Sequence, residues 1–222
     1  MDSRSLRGIR TVYFDFDGTL HDTIRVYAPA FRKAYAFLVE RGKAEEREWE
    51  EEEVGRWLGY TSIEMWKNFM GDLDEETRND ASRIIGREMR RQVLDGNGRL
   101  YDHTLQVLDT LHKRGYVLVY LSNAGTAYRD VAREQYGLDR YFQDMVCAGD
   151  HGFLPKEEIL AKIMKDYPMD QVIVGDRHHD IVSGQVNGIP SIFCRYGYGK
   201  EEEGAGATFE IDSIEELLDI LK

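Results

Sequence analysis

Short apolar runs rich in β-branched and aromatic residues alternate along this chain with longer stretches whose apolar residues recur at helical spacing. That alternation is the pattern of a parallel sheet whose strands are joined by crossover helices. Strands are predicted at residues 10–14, 116–121, 144–147, 171–174 and 191–195, with a short sixth at 208–211. Between Asp102 and Gly115, Leu105, Val107, Leu108 and Leu111 sit near helical spacing, and Gly115 stops the helix before the second strand. Similar helices fit residues 126–136, 156–166, 181–187 and 214–221.

Residues 22–98 break the alternation, being helical in pattern with no convincing strand. Phe31, Ala34, Tyr35, Leu38 and Val39 make one amphipathic face that ends near Gly42, and Ile84, Ile85, Met89 and Val93 make another that ends near Gly96. The charge run at 45–53 reads as a solvated helix face, and Trp49, Trp57 and Trp66 as core of this bundle, with one of them a candidate for lining a substrate pocket. The predicted fold is therefore α/β. A Rossmann-like parallel sheet core flanked by helices, residues 1–21 and 99–222, carries an inserted all-helical cap domain, residues 22–98, with hinges at the two junctions.

At 222 residues the chain is long enough for a sizeable core plus a smaller insertion. Its formal charge of −12 argues against binding a nucleic acid polymer, an affinity that comes largely from Lys and Arg. An anionic partner must then be small and met locally. Two cysteines, Cys147 and Cys194, form neither a CxxC pair nor a framework, and read as buried thiols in a reducing compartment. No run approaches the ~20 apolar residues of a membrane helix. A soluble, cytoplasmic protein is expected, as monomer or homodimer.

The chemistry is concentrated at strand ends. Asp15-Phe16-Asp17-Gly18-Thr19 follows the first apolar run. In extended chain, residues two apart point the same way about 6.6 Å apart, so one carboxylate can attack a phosphorus atom while the other reaches the leaving oxygen. Gly18 lets the chain turn. An acidic strand end is also an ordinary turn, but Ser122-Asn123, Lys156, and Asp176 with Asp180 each lie just beyond another predicted strand. Open α/β sheets bind their ligands at that edge. A carboxylate attacking a phosphate monoester needs cations nearby and a hard metal ion on oxygen ligands. Asp176, Asp15 and the main-chain carbonyl of Asp17 are candidate Mg²⁺ ligands, with Asp180 one turn on to hold a water of that ion. Ser122 and the Asn123 amide are candidate phosphate donors, and Lys156 is the fixed positive charge. Arg56 and Lys67 are the nearest cap candidates for substrate contact, although solvated charge is the simpler assignment. His178 and His179 are adjacent, so they are read as surface histidines rather than as a metal pair.

At these residues the chain resembles the haloacid dehalogenase superfamily, whose four motifs match Asp15-Phe16-Asp17-Gly18-Thr19, Ser122-Asn123, Lys156 and Gly175-Asp176-Arg177-His178-His179-Asp180. The inserted segment resembles the helical cap of the subfamily that includes phosphoglycolate phosphatases, sugar-phosphate phosphatases and β-phosphoglucomutases, as do Asn187-Gly188-Ile189-Pro190 and Tyr196-Gly197-Tyr198-Gly199. The resemblance implies a Mg²⁺-dependent phosphatase for a small phosphorylated metabolite, with Asp15 as nucleophile forming an aspartyl-phosphate and Asp17 as general acid and base. It implies phosphate binding by Gly18, Ser122, Asn123 and Lys156. Dehalogenases lack the second acid that Asp17 supplies. A mutase or phosphotransferase is the enzymatic alternative, but β-phosphoglucomutases carry an arginine shortly after a glycine like Gly59, where this chain has Thr61-Ser62-Ile63. A non-catalytic phospho-aspartate switch is the other alternative; receiver domains similarly combine acids, a hydroxyl and a lysine, but without a cap.

Overall fold

The computed structural model describes residues 5–222. Six strands, β1 (Thr11–Phe14), β2 (Val117–Ser122), β3 (Asp144–Cys147), β4 (Gln171–Gly175), β5 (Ser191–Cys194) and β6 (Phe209–Ile211), form one sheet in the order β3-β2-β1-β4-β5-β6. Every pairing is parallel. The strands match the predicted runs to within a residue or two. Val12 and Phe14 of β1 pack into one core and Tyr13 into the other, so β1 is buried on both faces. The helices α5 (Thr104–Lys113), α6 (Thr126–Tyr136), α7 (Lys156–Ile163), α8 (His178–Asn187) and the short α9 (Leu217–Ile220) cover these faces.

One start differs from expectation. Helix α8 begins at His178, three residues before the predicted Ile181, because Asp180 caps it: its Oδ2 accepts from the Arg177 main-chain N–H at 3.1 Å. The polar stretch Arg177 to Asp180 has no apolar period to announce a helix.

Residues 22–98 hold four helices, α1 (Ile24–Glu40), α2 (Glu51–Gly55), α3 (Ser62–Met70) and α4 (Glu75–Leu94), and no strand. Helix α1 packs along α4. Residues 45–50 are irregular and only the end of the charge run is helical, which corrects the expectation of a continuous solvated helix. Trp49 packs edge-on against Phe31, Tyr35 and Phe69, with ring centroids 5.2 to 5.4 Å apart. The two connections to the sheet run side by side. Asp22 N–H donates to the Arg99 carbonyl at 2.8 Å and Tyr101 N–H to that of Leu20 at 2.9 Å.

Candidate active site

Strand register assembles the site. Phe14 of β1 aligns with Tyr120 of β2 on one side and Val174 of β4 on the other. One residue past Phe14 lies Asp15, and two past its partners lie Ser122 and Asp176, all at the C-terminal edge. The strand order reverses at β1, the switch point where open α/β sheets leave a crevice for ligands.

Asp15 and Asp180 share a buried ammonium. Lys156 Nζ lies 2.6 Å from Asp15 Oδ1 and 2.7 Å from Asp180 Oδ1, and all three side chains are almost fully buried. Burial alone would lower the lysine's pKa, but the two carboxylates more than reverse this and hold it charged. Burial also pushes Asp15 well above the carboxylate range; Lys156 opposes this, and the charges of Asp180, Asp176 and Asp17 add to it. Asp176 is pushed up to about 7, first by burial and then by Asp180. Its Oδ2 accepts from the Tyr198 main-chain N–H at 2.7 Å. Gly18 is a strict requirement here: its φ is +93°, and a β-carbon on it would collide with the Asp176 carboxylate.

Three buried carboxylates against one lysine leave the cluster short of positive charge. Oxygens of Asp15, Asp176 and Asp180 all lie within 4.8 Å of one another, and Asp15 Oδ2 is buried with no hydrogen-bond partner. An all-oxygen set with an orphaned buried acceptor and excess negative charge fits a hard divalent cation. Asp180, expected one turn behind, is a full member of this cluster.

Asp17 is held separately and is only partly buried. Thr23 Oγ1 and Tyr128 Oη donate to its Oδ1 at 2.7 and 3.0 Å. Burial raises its pKa, against the pull of these two hydrogen bonds. Behind Thr23 sits His21, fully buried and stacked on Phe16 with ring centroids 5.0 Å apart. Its Nδ1 lies 2.7 Å from Thr23 Oγ1 and its Nε2 3.0 Å from Tyr136 Oη. Because the Thr23 hydroxyl proton goes to Asp17, Nδ1–H donates to Thr23 and Nε2 accepts from Tyr136. Burial holds the ring neutral, with its pKa lowered to about 3.

A cap loop around residues 58–60 reaches the sheet edge. Arg177, 3% exposed, donates from Nη1 to the Leu58 carbonyl and lies over the Tyr60 ring, 4.9 Å from its centroid. Glu203 braces it, accepting from Nε at 2.8 Å. The Asn123 side-chain amide donates to the Gly59 carbonyl at 2.8 Å. Ser122 Oγ accepts from the Ala124 N–H at 3.2 Å. His179 is not the surface histidine expected: its ring meets Tyr60 edge-on at 5.0 Å, and burial, then His178, lowers its pKa to about 4. The two histidine rings lie 3.8 Å apart, because both stand at the first turn of α8.

A cavity of about 1180 Å³ opens above Asp15, Asp17 and Ser122. Its cap wall includes Trp57, Tyr60, Met65 and Trp66, and a run of α4 that contains Arg83, Arg87 and Arg90. So two of the three tryptophans line it. Arg56 and Lys67 do not. The side chains around Asp17 and the α4 arginines lie outside the sequence motifs, and Arg177 stands in one but its partner Leu58 does not; position alone brings only His21 and Thr23, so close behind Asp17, near the site.

A parallel sheet in this order with acids clustered at its switch point defines an α/β protein whose candidate site is built from buried carboxylates. The family model for haloacid dehalogenase-like hydrolases matches residues 12–194. The chain belongs to that family, as a phosphatase-like hydrolase. It is 26% identical over 227 residues to the phosphoglycolate phosphatase of Vibrio parahaemolyticus, covering 96% of each chain. It is 26% identical over 181 residues to the pyrophosphatase PpaX of Oceanobacillus iheyensis, covering 80% of this chain and 79% of that one. A crystal structure of a predicted phosphatase from Clostridium acetobutylicum superposes with a TM-score of 0.81 at 24% identity, over 95% of this chain and 97% of that one.

Proposed function

We propose that the protein is a Mg²⁺-dependent phosphatase of a small phosphomonoester, working through an aspartyl-phosphate on Asp15. The Asp15 carboxylate attacks phosphorus as the bond to the leaving oxygen breaks, and Asp17 gives that oxygen its proton. Asp17, now a carboxylate, takes a proton from a water that attacks the acyl-phosphate phosphorus, so the bond to Asp15 breaks and phosphate leaves. The raised pKa of Asp17 supports its acid role, since the protonated form is the donor. Thr23 and Tyr128 fix its carboxyl. Ser122 and the Asn123 main chain are the phosphate donors, Gly18 leaves room for the phosphoryl group, and Lys156 neutralises charge. Mg²⁺ bound by Asp15, Asp176 and the Asp17 carbonyl, with Asp180 beside them, would supply positive charge against the phosphoryl oxygens.

The observation that carries this reading is the Asp15–Lys156–Asp180 triad with Asp176 beside it at the sheet's switch point. Residues 22–98 act as the cap and residues 1–21 and 99–222 as the catalytic core. The named relatives support two substrate types, phosphoglycolate and pyrophosphate. The buried free thiols of Cys147 and Cys194 support a reducing, cytoplasmic setting, and no helix among the described residues is long and apolar enough to cross a membrane. Phosphate release from a panel of phosphomonoesters and pyrophosphate, with Mg²⁺ and with chelator, tests the function. Release that needs the metal supports it; release unchanged by chelator, or none from any compound by folded protein, would refute it.

A further inference from the structure

We infer that helix α4 carries a second anion subsite, so that the substrate is an extended phosphomonoester with another anionic group remote from the phosphate being cleaved. This rests on the phosphatase reading above, which takes Asp15 to mark where the first phosphate lies. Arg83, Arg87 and Arg90 line the same cavity as Asp15 and Asp17. Steps of four and three residues put them on one helix face, spread over about 10 Å of helix.

The row stands out against its background. The chain carries a net charge of −12, and its other cations at and near the site are matched by carboxylates: Lys156 by Asp15 and Asp180, Arg177 by Glu203. On α4, Arg83 pairs with Asp80 at 2.6 Å. Arg90 Nε donates only to the Gly86 carbonyl, at 3.2 Å. Arg87 has no carboxylate or hydrogen-bond partner among the described residues, and Arg90 has no carboxylate partner among them. Two guanidinium groups therefore face the cavity uncompensated.

Gly86 points the same way independently. Glycine in a helix interior is unfavourable relative to alanine, yet a β-carbon at 86 would meet nothing within 4 Å. Packing does not call for it. It lies on the arginine face and lines the cavity, where it keeps open the space between Arg83, Arg87 and Arg90. Trp57, Trp66 and Met89 line the same cavity, so the ligand that fits is an anion, an apolar or uncharged body, and a second anion. At about 1180 Å³ the space exceeds the ~300–1,000 Å³ of drug-sized pockets, well beyond a two-carbon phosphomonoester. The guanidinium fork binds phosphate and carboxylate alike.

The test uses a length ladder of alkyl monophosphates, ω-carboxyalkyl phosphates and α,ω-alkanediol bisphosphates. Turnover is measured on wild type and on Arg87→Gln/Arg90→Gln, and calorimetric binding on Asp15→Asn with and without the same pair of changes. The expected result is a kcat/KM preference for doubly anionic over alkyl compounds that sets in beyond a threshold length, reaches about tenfold or more, and collapses towards one in the double variant. The preferred end group, phosphate or carboxylate, identifies the second anion. Equal handling at every length, or a preference that survives the double variant, overturns the subsite. If wild type hydrolyses no compound, the phosphatase reading fails, and the binding arm still decides the subsite: tighter binding of long dianionic compounds that is lost with the arginines supports it, and its absence refutes it.

Discussion

Replacing Lys156 with methionine tests the electrostatics of the site through folding rather than turnover. Methionine keeps the side chain's length and apolar stem, so packing changes little, while Asp15 and Asp180 lose the ammonium 2.6 and 2.7 Å away. Removing one partner of a buried ion pair costs about 3–5 kcal/mol, because the other charge is left uncompensated. For a domain of this size each kcal/mol shifts Tm by about 2–4 °C, so the metal-free variant is expected to melt about 6–20 °C below wild type. The raised pKa of Asp15 gives the sign of the pH dependence. A carboxyl whose folded pKa lies above its unfolded value destabilises the fold at pH above the unfolded value, and the cost grows up to the folded one. Without Lys156, which holds it down, the Asp15 carboxyl rises further, so the deficit is larger at about pH 8 than at about pH 5. Excess Mg²⁺ is expected to restore part of it by supplying positive charge to the same carboxylates. Differential scanning fluorimetry with chelator and with Mg²⁺ at both pH values reads all of this. A Tm within about 2 °C of wild type in chelator at the higher pH would refute the reasoning.

Asp17→Asn is expected to lower turnover by about 10²–10⁴-fold, with the larger loss on alkyl phosphates, whose leaving oxygen needs the proton, than on p-nitrophenyl phosphate; equal losses would remove Asp17 from the acid role. Gly59→Ala forces a side chain to φ +83° and sets its β-carbon 2.6 Å from Arg177 Cγ; it should shift the cap loop and raise KM several-fold more than it lowers kcat, which steady-state kinetics would read. His21, held neutral with a pKa lowered to about 3 from 6.5, is protonated in the unfolded chain first. Stability should therefore fall as pH drops from 6.5 towards 3, by about 2 kcal/mol at about pH 5, and His21→Gln should flatten that slope in urea titrations at several pH values.

The sheet was legible because its strands are buried on both faces and read as apolar runs such as Val12 to Phe14 and Val172 to Val174. Asp15, Ser122, Lys156 and Asp176 were legible for a related reason, since each follows such a run and a parallel sheet gathers those ends on one edge. Helix α8 was misjudged at its start because a cap, not a period, sets it there. The Arg177 contact with Leu58 joins residues 119 apart in sequence, and Tyr128 meets Asp17 across 111. No spacing rule connects such pairs. The cap side of the cavity was illegible for the same reason: Arg56 and Lys67, read chiefly as solvated charge, do not line it, whereas arginines of α4 do, which only the packing of that helix brings over the sheet edge.

The most direct measurement is chemical trapping of the intermediate. Protein turning over a phosphomonoester with Mg²⁺ is quenched in acid, reduced with borohydride and mapped by mass spectrometry. An aspartyl-phosphate on Asp15 predicts homoserine at position 15, dependent on substrate and metal and absent from Asp15→Asn, which should also release no phosphate. Turnover with Asp15 unmodified, or homoserine at another aspartate, would contradict it.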